Sequence, residues 1–65
     1  MKITAPKNIQ DLWKKYQRQE QMQVNEVMEL FQFLLDTDQC WEDQRLAQTA
    51  RYYISEGFLY HVPTS

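Results

Sequence analysis

The sequence predicts an all-α fold: a small three-helix bundle, or a helical hairpin with an added N-terminal helix. Three observations carry this. Apolar residues recur at helical spacing in three separate stretches. One glycine and two prolines leave little turn material for a multi-stranded fold. A content of 43% hydrophobic and 14% aromatic residues is too apolar for a disordered tail. With 65 residues the chain is one domain, 1–65. A domain of that size buries only about 60% of its unfolded surface and is marginal alone, so partners matter to it. Dimerisation is therefore left open.

The stretch 25–57 organises the rest, as an apolar helix, a short acidic break and a second helix closed by the only glycine. Before it, residues 1–7 form a leader, because Pro6 disfavours helix at Ala5. Helix 1 is placed over residues 8–20. Asn8 is read as its N-cap and Asp11 as a first-turn acid, with Ile9, Leu12, Trp13 and Tyr16 on one face. The cations Lys14, Lys15 and Arg18 follow toward its C-terminal end, where they complement the helix dipole.

The polar segment 17–23 contains neither glycine nor proline, so one long helix running into the next is an alternative. A break is preferred near residues 21–25, with Asn25 capping a helix 2 over 25–36. Val27, Leu30, Phe31, Leu34 and Leu35 form the apolar stripe of that helix. Phe33 falls among its polar residues. Thr37 or Asp38 is read as the cap of helix 3. That helix is placed over 41–57, entered by Trp41, with Leu46, Ala47, Ala50, Tyr53 and Ile54 inward and Tyr52 outward. Gly57 suits a left-handed C′ position, and Phe58 is expected to fold back onto Ile54. The tail 58–65 is half apolar, and its Phe58, Leu59, Tyr60 and Val62 are expected to pack under the helices or beside Ile3.

Several chemistries are disfavoured. One cysteine and one histidine, Cys40 and His61, are too few for a zinc site. The acids Asp36, Asp38, Glu42 and Asp43 lack the glycine and the spaced glutamate of a calcium loop and read as caps. Cys40 and His61 have no orienting third group, so Cys40 reads as a structural cysteine and the chain as a non-enzyme with no cofactor. A lone thiol suits a reducing setting, and no apolar run is long enough for a membrane span. Cytoplasmic localisation without membrane association is the expectation.

Net charge is −2 but polarised. In residues 1–18, Lys2, Lys7, Lys14, Lys15 and Arg18 stand against Asp11 alone. After them, Arg45 and Arg51 stand against eight acids. The second helix pair superficially resembles a helix-turn-helix, yet its third helix and connecting loop are acidic overall and would repel phosphate. Protein–protein binding is the class that remains. Phe33, Arg45 and Tyr52 on predicted outer faces, with Lys14, Lys15 and Arg18 on the basic helix, are the candidate partner-binding residues.

The run Glu29-Leu30-Phe31-Gln32, then Leu34, Asp36-Thr37 and Trp41, then Thr49-Ala50, Ile54 and Gly57, resembles a group of very short bacteriophage proteins of uncharacterised function. Their pattern is E-L-F-Q-x-L-x-D-T-x-x-x-W followed by R-x-A-x-x-L-I-x-x-G, and the similarity covers about residues 16–60. The group usually carries glycine where Asp38 stands, and a glycine-containing segment where residues 42–48 have none. The resemblance implies a phage accessory protein in the host bacterial cytoplasm, one that binds a host protein and inhibits or redirects an enzyme or defence system.

Overall fold

Helix α2 (Val24–Asp36) is the member that the rest of the chain covers, as seen in a computed structural model that describes residues 2–60. The order is α1 (Lys7–Gln17), α2, a 3-10 turn (Gln39–Glu42) and α3 (Gln44–Ser55), with no strand among the described residues. The fold is a small all-α bundle. Helices α1 and α2 are separate, so the long-helix alternative does not hold. Their junction closes because Gln19 adopts φ 57°. Its N–H donates to the Tyr16 carbonyl at 3.1 Å, and that of Glu20 donates to Lys15 at 3.0 Å. These are the paired bonds of a Schellman motif, here with a non-glycine residue in the left-handed position.

The same motif ends α3. Gly57 has φ 82°, its N–H donates to the Ile54 carbonyl, and that of Phe58 donates to Tyr53. Phe58 folds back over the end of α3, edge-on against Tyr53 at 6.3 Å. At the end of α2, Asp38 takes the left-handed role with φ 59° and donates its N–H to the Leu35 carbonyl. Among the described residues three left-handed positions thus make the chain turn, and only one is glycine.

The helix starts depart from the sequence reading. α1 begins at Lys7, because the Pro6 carbonyl accepts from Ile9 and Gln10 and the fixed φ of proline suits the entry. Asn8 is therefore inside the first turn, and Asp11 lies in the second. α2 begins at Val24, because Glu26 reaches back to accept the N–H of Gln23 at 3.1 Å, and Asn25 is interior. Neither Thr37 nor Asp38 caps α3. Asp43 does, accepting from the N–H groups of Arg45 (2.8 Å) and Leu46 (3.4 Å). Trp41 accordingly sits in the 3-10 turn, ahead of the helix proper.

The core gathers on α2. Leu30, Phe31, Leu34 and Leu35 have almost no accessible surface, and Cys40 from the 3-10 turn is equally enclosed. Ile9, Leu12 and Trp13 close one side, and Leu46 and Ala50 another. An aromatic series spans all three helices. Trp13 stacks on Tyr16 at 5.8 Å, Tyr16 meets Phe31 edge-on at 5.4 Å, and Phe31 meets Tyr53 at 5.6 Å. Ile3 and Leu59 are also buried. Each of their flanking segments is held by a glutamine side chain acting as a backbone mimic. Gln39 accepts the Thr4 N–H (2.7 Å) and donates to its carbonyl (3.0 Å). Gln32 does the same for Tyr60, at 3.1 and 2.7 Å. Val62 and Pro63 lie outside the described residues.

Candidate interaction surface

Tyr52 is 59% exposed, and it borders an apolar groove of about 250 Å³ between the start of α2 and the end of α3. One wall is Met22, Val24 and Met28, and the other is Tyr52 and Phe58. Val27 and Tyr53, both packed against the core, also line it. Val24 and Phe58 are 69% and 57% exposed, so three of the four large hydrophobics exposed among the described residues meet here. Helical spacing explains the α2 side. Val24 and Met28 lie one turn apart, on the flank of the buried stripe that faces α3. The Schellman turn explains the other side, because it swings Phe58 back over Tyr53.

A larger cleft of about 550 Å³ adjoins the groove and shares Met22 and Val27 with it. Arg45 lies there, with Trp13, Tyr16, Glu20 and Asp43. Arg45 and Tyr52 are seven residues apart on one face of α3 and so stand at opposite ends of this continuous depression. The Asp43 carboxylate is already engaged in capping. The phenol of Tyr16 is pushed above its ordinary pKa chiefly by burial, then by Tyr53.

The remaining candidates are dispersed. Lys15 is tied to Glu26 at 3.1 Å, a bridge that joins α1 to the start of α2. The Glu26 carboxyl is held below its ordinary pKa first by the Gln23 N–H and then by Lys15. Arg18 meets Glu20 at 3.8 Å, an exposed contact that contributes little. Lys14 is exposed and shares the outer face of α1 with Lys7, Asp11 and Arg18. Phe33 departs from its expected facing. It is partly buried and packed against the core, seven residues from Glu26 and so on the flank of α2 that is bridged to α1.

Cys40 is fully enclosed, and its thiol is pushed up to about 11, first by burial and then by the charge of Asp38. It stays protonated near neutrality and is a poor nucleophile there. His61, its suggested partner, lies outside the described residues. Among the described residues no three acid, cysteine or histidine side chains gather as a metal site. Nor is any helix there long and apolar enough to cross a membrane.

The sequence reading found Tyr52 but missed the other groove residues. Met22 and Val24 sit in a glutamine-rich segment that reads as polar. Their apolar side chains, alternating with Gln21 and Gln23, were the one signal of a surface there. Compared with known proteins, the chain matches no family model, no curated protein and no solved structure.

Proposed function

We propose that this chain is a non-enzymatic protein-binding module whose partner docks along the groove bordered by Tyr52. The observation that supports this is the gathering of Val24, Tyr52 and Phe58, all largely exposed, around one concave strip. Single exposed hydrophobics are ordinary on a small domain. A contiguous patch is not, because each large apolar side chain left in water forgoes ~1.5–3 kcal/mol of burial. Its composition also suits docking. Methionine is adaptable, and tyrosine and phenylalanine are enriched in interface cores.

The narrower form is a phage accessory protein that inhibits or redirects a host enzyme or defence system in the host cytoplasm. The resemblance over residues 16–60 supports it. Affinity capture from a bacterial lysate tests both levels. The wild-type chain is expected to retain a specific host protein, and Tyr52→Ala, still folded, is expected to lose it. Equal capture by the two chains would remove the groove from consideration. A captured enzyme or defence component would support the narrower form.

A second reading, a small nucleic-acid-binding regulator, draws on the outer face of α1, where Lys7, Lys14 and Arg18 align against Asp11 alone. On α3, by contrast, Arg51 lies over the Trp41 ring at 5.8 Å. Micromolar binding to random duplex DNA with a steep salt slope would favour this reading over the first.

A further inference from the structure

We propose that a depression between the leader and α1 binds a phosphate group through Lys2 and Lys14; this goes beyond the protein-binding reading and does not depend on it. The depression has a volume of about 240 Å³ and is lined by Lys2, Ile3, Gln10, Trp13, Lys14 and Gln17. Tertiary structure brings its two lysines together. Ile3 is buried, the Gln10 side chain donates to the Ile3 carbonyl at 2.8 Å, and Gln39 bonds both the N–H and the carbonyl of Thr4. The leader is thereby pinned beside α1, and Lys2 stands at the same depression as Lys14.

Charge selects the sign of the ligand. No carboxylate lines the depression. Asp11, the only acid before Glu20 in the chain, is not among its lining residues. Lys15 and Arg18 each stand in an ion pair, whereas among the described residues Lys2 and Lys14 stand in none. Two like charges are thus gathered without a counter-charge, and an anion touching both offsets their repulsion. The larger cleft differs, because Arg45 stands there with Glu20 and Asp43 and the lining favours neither sign.

Charge number and size narrow the anion to phosphate. A phosphate monoester carries about −1.5 to −2 near neutrality, which matches two cations, whereas a carboxylate offers one charge. Lysine binds phosphate as a point charge, and the arginine fork that grips a carboxylate with two parallel bonds is absent from the lining. A volume of about 240 Å³ lies below that of a drug-sized pocket and suits such a small group.

The test titrates the full chain with inorganic phosphate at low ionic strength, with acetate at matched ionic strength as the monoanion, and follows the indole N–H signals of both tryptophans. Trp13 lines the depression and is expected to shift saturably, while Trp41, in the 3-10 turn, is expected to stay in place. Phosphate is expected to bind at least ~fivefold more tightly than acetate. Lys2→Gln and Lys14→Gln, both exposed and so expected to leave the fold intact, should each weaken phosphate at least ~threefold. Lys7→Gln removes the same charge from the outer face of α1 but outside the lining, and should leave binding nearly unchanged. A sugar phosphate and a short single-stranded oligonucleotide separate the sources. A stronger response to the first, lost in Lys2→Gln/Lys14→Gln, supports the site with a free phosphate ester as its ligand. A stronger response to the second, lost in the same double variant, supports it with a nucleic-acid phosphate. No shift of Trp13 with phosphate, an equal response to acetate, or a loss in Lys7→Gln as large as in Lys14→Gln would overturn the proposal.

Discussion

The two halves of α2 meet different surroundings. Leu30, Phe31, Leu34 and Leu35 are closed off entirely by α1, the 3-10 turn and α3, whereas Val24, at the start of the same helix, is 69% exposed. Hydropathy does not separate them, since Val24, Val27 and Met28 are apolar too. What differs is the covering. The C-terminal half is packed by the 3-10 turn with Cys40 and by the buried leader residue Ile3. The N-terminal half faces the end of α3, where the chain turns at Gly57 and leaves a gap that Phe58 and Tyr52 border but do not fill. One half is therefore enclosed by the fold, and the other leaves apolar surface uncovered.

Phe31→Ala should have the largest effect. Its ring touches both Tyr16 and Tyr53, so truncation empties the centre of the aromatic series. A loss of ~3–5 kcal/mol is expected by denaturant unfolding, a large share of what so small a domain has. A loss under ~1 kcal/mol would mean that the closed half is not closed.

The alkaline limb of stability comes next. With the Cys40 thiol raised to about 11 in the folded chain against an ordinary 9.0, both states are protonated below pH 9. As pH rises from there toward 11, the unfolded chain ionises first and stability falls. Because other groups titrate in that range, the comparison is with Cys40→Ala. The difference in stability between the two chains should be constant below pH 9 and shift against the wild type above it.

Phe33→Ala should fall between the two halves, at ~1–2 kcal/mol, because the ring is only partly buried. No measurable loss would return Phe33 to the solvent-facing role that its place in the helical period suggests. The smallest effect is a gain. Gln19→Gly should raise stability by ~0.5–1 kcal/mol by relieving a left-handed φ of 57°. No gain would show that the junction before α2 is already unstrained.

The three helices were legible because Leu30, Phe31 and Leu34, or Leu46, Ala50 and Tyr53, repeat at the helical period regardless of what covers them. Their starts were not, because capping here uses unusual residues. A proline carbonyl opens α1, and a glutamine N–H bonded to Glu26 opens α2, whereas Asn8 and Asn25 are the better caps by type. Asp43 was legible only as one acid in a run of acids. Phe33 misled because a single stripe presumes one covering face, and α2 is flanked on both sides. The burial of Ile3 and Leu59 depends on Gln39 and Gln32 holding distant backbone at Thr4 and Tyr60, which local pattern does not encode. The groove was half legible. Tyr52 stood out as an aromatic on a polar face, while Met22, Val24 and Phe58 become a surface only once the ends of α2 and α3 are brought together.

The most direct test of this contrast is the affinity of a captured partner for Tyr52→Ala, measured by calorimetry beside the wild-type chain with both confirmed folded. The open-groove account expects at least ~tenfold weaker binding, equivalent to about 1.4 kcal/mol, with stability changed by less than ~1 kcal/mol. Unchanged affinity, or a loss of stability as large as that of Phe31→Ala, would contradict it.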